Sequence, residues 1–561
     1  MSGPLPADPL DASRPWPIVW SIAGTDSGGG AGLSADQRAA DAMQVHLCPV
    51  VAAVTAQNSL AVSEVHPVGR EVLDAQLRAL ADDMPPQAIK TGLLGNAEQV
   101  ACVAEWVDRL RERGPVALVV DPVLGATTGA TFANAATLRA YQRLLLPRAT
   151  LVTPNQDEAV RLLQRDPQDP HPSLADIPTQ ARGLQGMGCE SVCITGGDAR
   201  PALADDDHDA LTASDLARLA LDWMSTPHAE GWLAAERAPT AHTHGTGCTF
   251  ATAAAAALAR GFVSADALVL AKMVTLGALR AGQAAGIGAG PVRAHAGFIT
   301  DPSLLPRLSW GEAPHFLAPF TPPRPDGVPV SGLGLYALVD SAERVRQVLA
   351  AGVRTVQLRV KAPEVAAPDW PSKLQREITE SVAAAQAVDG AMLFINDHAE
   401  AALQAGASGV HLGQEDLLAL NDGERIRLAD QLDLGISSHS LWELCRAATL
   451  HPRYIACGPV WPTLTKAMPW RAQGLDNLAW WCAMSPAPVV AIGGILTPAQ
   501  ATQAARSGAD GVCVVRGLGD VPAATVPAFQ QALVEGRASG TALAGWPHPS
   551  LEGALSEPAL P

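Results

Sequence analysis

The sequence predicts two α/β domains in one chain, an α/β sandwich built on a mainly parallel sheet and then a (β/α)8 barrel. Three observations predict this. A chain of 561 residues is too long for one hydrophobic core. The stretch from Phe316 to Gly334 carries five prolines and three glycines and loses apolar periodicity, as a linker does. On both sides of it, short β-branched runs alternate with Ala/Leu-rich segments long enough for helices, the rhythm of βα repeats. The expected boundaries are a tail over 1–16, a first domain over 17–300, a linker over 301–332, a barrel over 333–537 and a tail over 538–561, both tails being mobile.

In the first domain the strand-like runs are Ile18 to Ile22, Val116 to Val120, Thr150 to Val152 and Val192 to Ile194. The first leads into Ala23-Gly24-Thr25-Asp26-Ser27-Gly28-Gly29-Gly30-Ala31-Gly32, where glycines let backbone N–H groups approach a ligand. Neither the dinucleotide-binding nor the Walker glycine spacing is met, so this turn alone is weak evidence. A stronger signal is His244-Gly245-Thr246-Gly247-Cys248-Thr249, just ahead of an Ala-rich helix. Such a turn aims several N–H groups and the positive end of the helix dipole at one point, where an anion can sit. The same location is expected to lower the pKa of Cys248 and make it a proton acceptor. A small buried cysteine packing a helical turn is the plainer alternative.

In the second domain eight strand-like runs centre near Leu338, Val356, Phe394, Val410, Leu434, Ile455, Val490 and Val514. A barrel keeps its chemistry at the carboxyl ends of its strands. There the chain places Gln357, Arg359 and Lys361, then Asn396 and Asp397, then His411-Leu412-Gly413-Gln414-Glu415-Asp416, then Ser437. Pro462-Thr463-Leu464-Thr465-Lys466, Gly493-Gly494 and Val515-Arg516-Gly517 follow the last three strands. Each has a dull reading as a cap, a turn or a solvated strand end. Taken together, polar and glycyl strand ends with separated cations and carboxylates point to a Mg2+ and diphosphate site.

Composition narrows the function. With 48% apolar and 17% charged residues the chain reads as globular, and a formal charge of −17 without a basic run argues against nucleic acid. Nine scattered cysteines without a Cys-x-x-Cys pair indicate neither a disulfide framework nor a zinc site. With no long apolar span, a cytoplasmic location and no membrane partner are expected.

The stretches Ala23 to Asp26, Thr55 to Asn58, Ile89 to Gly95, Asp121 to Val123, Thr153 to Glu158 and His244 to Thr249 resemble the hydroxymethylpyrimidine and phosphomethylpyrimidine kinases, a branch of the ribokinase-like superfamily, from about Pro17 to Gly297. The resemblance implies that Gly245, Thr246, Gly247 and Cys248 form the anion hole and base. It implies that Asn155, Glu158 and Thr195 serve Mg2+ and the ATP phosphates, and that Asp36, Gln57 and Leu93 line the pyrimidine pocket, the first two by hydrogen bonds. Thr127 and Thr195 stand where the family often has lysine.

From about Gly334 to Leu518 the chain resembles thiamine phosphate synthase, a TIM barrel, most specifically at His411 to Leu417 and Pro462 to Lys466. That resemblance implies Asp397 and Asp416 as Mg2+ ligands, and Arg359, Lys361, Asn396 and Lys466 on the diphosphate. Gln357 and Ser437 would meet the pyrimidine, and Thr463, Thr465, Gly493, Val515 and Arg516 the thiazole phosphate, Arg516 standing where a small serine is frequent. The implied substrates are hydroxymethylpyrimidine, its phosphates, ATP and thiazole phosphate, and a homo-oligomer stays open. Two alternatives compete, a pyridoxal-type kinase, and a barrel that is a non-catalytic phosphate binder or a thiazole tautomerase.

Overall fold

The computed structural model describes residues 16–125, 132–164, 173–196, 217–314, 333–361, 369–462 and 469–551. The chain divides into two compact units, Met1–Phe320 with Leu551–Pro561, and Thr321–Ser550.

The first unit is built on a ten-stranded sheet in the order β10-β9-β8-β7-β6-β5-β4-β1-β2-β3. Its strands are β1 (Ile18–Gly24), β2 (His46–Gln57), β3 (Val62–Pro67), β4 (Ala88–Thr91), β5 (Ala117–Val120), β6 (Leu151–Val152), β7 (Ser191–Ile194), β8 (Leu219–Ser225), β9 (Glu230–Glu236) and β10 (Arg307–Leu308). From β2 to β7 every pairing is parallel. β3 and the β8-β9-β10 edge are antiparallel. The parallel strands are short and buried on both faces, which is why they read as continuous apolar runs. Thr246–Ala259, with seven alanines among its buried residues, is buried from Thr249 onward and packs against Ser264–Arg280, the small side chains allowing close approach.

The second unit is a closed barrel of eight parallel strands in sequential order. These are β11 (Gly334–Val339), β12 (Thr355–Leu358), β13 (Met392–Asn396), β14 (Gly409–Leu412), β15 (Asp433–Ser438), β16 (Tyr454–Cys457), β17 (Val489–Ile492) and β18 (Gly511–Val514), each containing one of the eight expected centres. Tyr336, Phe394 and Tyr454 meet edge to face or tilted, with ring centroids 5.1–6.1 Å apart, and with Leu333, Val490 and Cys513 they fill the interior.

Two boundary expectations need correction. The linker expected over 301–332 falls outside the described residues over 315–332, but 301–314 belong to the first unit. There Leu308 pairs with Leu233, and Leu308 and Trp310 are buried, so the prolines of this stretch border an edge strand. The tail expected to be mobile from 538 onward is anchored on the barrel. His548 donates its N–H to Asn477 Oδ1 at 2.8 Å, Asn477 Nδ2 donates to the His548 carbonyl at 3.0 Å, and Trp546 is buried. Residues 1–15 and 552–561 lie outside the described residues.

Candidate active sites

In the first unit, six parallel strands release their carboxyl ends along one edge, the usual binding edge of such sheets. A register shift at Ala23/Gly24 ends the β1 ladder and turns the chain into the glycine-rich loop. Leu93 follows β4 and is buried, Asp121 follows β5, Asn155 follows β6, and Thr195 follows β7 and bridges Asn155. Gly245, with φ of +89°, caps the helix whose first turn carries Thr246, Gly247 and Cys248. A Cβ there would lie 2.3 Å from the Gly30 carbonyl oxygen, so glycine is required on both counts.

Cys248 departs from expectation. Although partly exposed as a residue, its thiol is pushed up to about 12 by burial; Lys90 and the Gly32 N–H pull the other way, and Asp36 and Asp121 add to the rise. The helix terminus favours the thiolate, but the low-dielectric surroundings outweigh it. Asp36, expected to hydrogen-bond the pyrimidine, is fully buried. Its fully buried carboxylate accepts from Ser21 Oγ at 2.6 Å, from Thr252 Oγ1 at 2.8 Å and from Lys90 Nζ at 3.1 and 3.2 Å. Gln57 contacts His244, Nε2 to Nε2 at 3.2 Å. A cavity of about 280 Å³ nearby is lined by Gly28, Gly30, Asn58, Leu60, His244 and Ile287, without Asp36, Gln57 or Leu93.

Asn155 and Glu158 form a capping box, with Glu158 N–H donating to Asn155 Oδ1 at 2.9 Å and Asn155 N–H to Glu158 Oε2 at 3.0 Å. These two side chains therefore also start their helix. Glu158 is pushed up to about 8, by burial and then by Asp121, and burial pushes Asp121 up to about 6 despite Lys90. Asp121 Oδ2 is buried with no hydrogen-bond partner and lies 3.6 Å from Lys90 Nζ. Two buried carboxyls that resist ionisation, one with an orphaned oxygen, fit a divalent cation. Sequence reasoning quoted Lys90 and Asp121 within motifs but gave neither a role. Their signal was a charged residue inside or directly after an apolar strand.

In the barrel, Gln357 is buried in β12 and donates to Tyr336 OH at 3.1 Å. Tyr336 OH lies 2.6 Å from Tyr454 OH, which lies 2.8 Å from His411 Nδ1, and His411 Nε2 lies 2.8 Å from Ser437 Oγ. Gln357 and Ser437, both expected on the pyrimidine, sit at opposite ends of one chain of hydrogen bonds. Tyr336 and Tyr454 have no local sequence signal for this, because their partners lie on strands far apart in sequence. Burial, with Arg359 and His439 adding to it, pushes His411 down to about 3, so the imidazole is neutral.

Asn396 is buried at the end of β13, and Asp397 follows it with φ of +68°, its N–H donating to the His411 carbonyl at 3.1 Å. Asp416 Oδ2 accepts from Gly413 N–H at 2.9 Å, one strand over. Arg359 and Lys361 stand after β12 with Lys361 exposed, and Gly493 follows β17. Val515 and Arg516 are exposed after β18. Thr463, Thr465 and Lys466, like Thr127, lie outside the described residues. Among the described residues no group of three or more His, Cys, Asp or Glu side chains could hold a metal. A cation here would use the Asp397 and Asp416 carboxylates with water and phosphate oxygens, the usual habit of Mg2+.

Comparison with known proteins gives one family model for each unit. Residues 26–293 match the model described as phosphomethylpyrimidine kinase, and residues 331–518 the one described as thiamine monophosphate synthase. A probable thiamine biosynthetic bifunctional enzyme, chloroplastic, from Oryza sativa subsp. japonica is 34% identical over 494 residues, covering 86% of this chain and 81% of that one. The thiamine biosynthetic bifunctional enzyme, chloroplastic, of Arabidopsis thaliana is 32% identical over 501 residues, 86% of each chain. The hydroxymethylpyrimidine/phosphomethylpyrimidine kinase of Synechococcus elongatus is 39% identical over 276 residues, 49% of this chain and 96% of that one.

Proposed function

Because the chain belongs to the bifunctional thiamine biosynthetic enzymes, a kinase and a thiamine phosphate synthase in one polypeptide, we propose that it carries hydroxymethylpyrimidine through two phosphorylations and then joins the diphosphate to thiazole phosphate. ATP is the phosphoryl donor. The observation that carries the kinase half is the convergence of the Gly245–Gly247 turn, Cys248 and the buried Asp121 and Glu158 on one sheet edge.

In this reading the backbone N–H groups of the Gly-Thr-Gly turn hold the transferred phosphoryl group, and Cys248 takes the proton of the substrate hydroxyl. The thiol works from its thiolate form, favoured by Lys90 and the Gly32 N–H and opposed by burial. Asp121, Glu158 and Asn155 would hold Mg2+, which would supply charge neutralisation to the nucleotide phosphates. Gln57 and Leu93 face the pyrimidine, while Asp36 acts from beneath by holding Lys90 and Thr252.

In the barrel, Asp397 and Asp416 would hold a second Mg2+ to neutralise the departing diphosphate, and Arg359, Lys361, Asn396 and Lys466 gather its charge. The pyrimidine methylene carbon left behind is captured by the thiazole nitrogen, so no strong base is needed. The Gln357 to Ser437 chain orients the pyrimidine, and Thr463, Thr465, Gly493, Val515 and Arg516 receive the thiazole phosphate. The neutral His411 suits this role, because an imidazolium would repel the developing cation.

A cytoplasmic location belongs to the same reading. Both plant relatives are described as chloroplastic, and among the described residues no helix is long and apolar enough to cross a membrane. The test is thiamine phosphate formation by the purified chain supplied with hydroxymethylpyrimidine, Mg-ATP and thiazole phosphate. If no product forms, supplying the pyrimidine diphosphate directly identifies the failing half.

A further inference from the structure

His244 precedes the Gly-Thr-Gly turn, and its ring reaches across to the other glycine-rich loop. Its Nε2 lies 2.9 Å from Asp26 Oδ2, on a side chain only 1% exposed. The same carboxylate accepts from the N–H groups of Gly28 at 2.8 Å, Gly30 at 2.9 Å and Ala31 at 2.7 Å. Burial works against the Asp26 carboxylate, but His244 and the loop N–H groups outweigh it and hold the group below the usual aspartate range. Arg38 closes the far side of the loop, donating to the Gly29 and Gly30 carbonyls at 3.0 Å each. The fit has no slack, since a Cβ on Gly30 would lie 2.1 Å from His244 Cδ2. The His244 backbone is tied on both sides, its N–H to the Gly290 carbonyl at 3.1 Å and its carbonyl to Val292 N–H at 3.0 Å.

We infer that Asp26 and His244 are a positioning couple for phosphoryl transfer, setting the distance between the loop that floors the substrate cavity and the turn that holds the transferred group. Neither side chain has to touch a reacting atom for this. An ionised carboxylate can only accept, so the proton sits on His244 Nε2 and is committed to Asp26. That nitrogen then cannot accept from Gln57, and the Gln57 amide can turn to a ligand in the adjoining cavity. The couple therefore divides the labour, His244 and Asp26 fixing geometry and Gln57 reading the substrate.

The inference rests on the kinase reading of the first unit, and the test separates the two. The full chain is assayed for kcat and KM with hydroxymethylpyrimidine, as wild type and as His244→Leu, His244→Gln and Asp26→Asn, with synthase activity on pyrimidine diphosphate as the control for an intact preparation. A misplacement near 1 Å lowers a rate by about 100-fold, so His244→Leu is expected to lose about that much kcat while KM changes by less than about threefold. Gln carries an amide N–H close to the former Nε2 position, and His244→Gln is expected to recover about tenfold or more of the loss. Asp26→Asn should follow His244→Leu, and it stands in should that variant fail to fold. The couple is overturned by wild-type kcat in His244→Leu and Asp26→Asn, by a loss confined to KM, or by His244→Gln no better than His244→Leu. A wild-type chain that transfers no phosphate to the pyrimidine overturns the kinase reading, and the couple with it.

Discussion

Replacing Lys90 by methionine removes the cation that contacts both Asp36 and Asp121, and the structure indicates how unequally the two will suffer. Asp36 keeps hydrogen bonds from Ser21 and Thr252. Asp121 keeps nothing comparable, because its Oδ2 already lacks a hydrogen bond and its pKa stands at about 6 with the lysine in place. Breaking a buried pair by removing one partner costs about 3–5 kcal/mol, and protonation of Asp121 limits the cost toward the lower end. At about 3 kcal/mol the melting transition of the first unit should fall by about 6–12 °C at pH 8. A carboxyl whose folded pKa is raised stabilises the fold below its unfolded pKa and loses that contribution as pH rises through the folded value. The penalty should therefore be smaller at pH 5.5 than at pH 8. Calorimetry of the full chain reads this directly, with the barrel transition as internal reference. Lys90→Met/Asp36→Asn should recover part of the loss, since removing both partners is milder than orphaning one. An unmoved transition at pH 8, or a shift of equal size at both pH values, would refute the reasoning.

Cys248→Ala should slow pyrimidine phosphorylation by about 100- to 10,000-fold and spare the synthase, and with the thiol held near 12 the wild-type kinase rate should climb with pH up to at least pH 9. A rate plateau below pH 7 would remove Cys248 as the base. Asp416→Ala should do the reverse, abolishing coupling of pyrimidine diphosphate while phosphorylation continues, as read by separate assays on one preparation. His411, neutral because its pKa is depressed, contributes stability that is present above the unfolded histidine value and fades as pH falls toward about 3. The barrel transition should accordingly lose up to about 1.4 kcal/mol per pH unit below pH 6, and His411→Gln should flatten that slope in the same calorimetric series.

The parts of the fold legible in the sequence were those where burial on both faces writes itself as an apolar run. All eight barrel strands and β1, β5, β6 and β7 are of this kind. β10 was not, because two residues flanked by Pro302, Pro306 and Pro314 look like linker until Leu308 is seen pairing with β9. The carboxyl-terminal tail failed for a related reason, its anchoring depending on Trp546 and on the Asn477–His548 exchange, neither of which has a local pattern. In the sites, glycine turns and strand-end carboxylates could be placed from motifs. Charge states could not. The Cys248 thiol, the Asp121 carboxyl and the His411 imidazole all depart from simple expectation because desolvation by distant strands outweighs local helix or loop chemistry.

The raised thiol has a consequence for survival in an oxidising cell. With burial holding the thiol far above neutral pH, Cys248 is overwhelmingly protonated there, and the thiolate is the form that peroxides and disulfides attack. A cysteine held in this way is shielded from sulfenic acid formation without a resolving partner or a dedicated reductase. Alkylating reagents should find Cys248 slow to modify for the same reason, and a kinase left idle in aerated buffer should keep its activity.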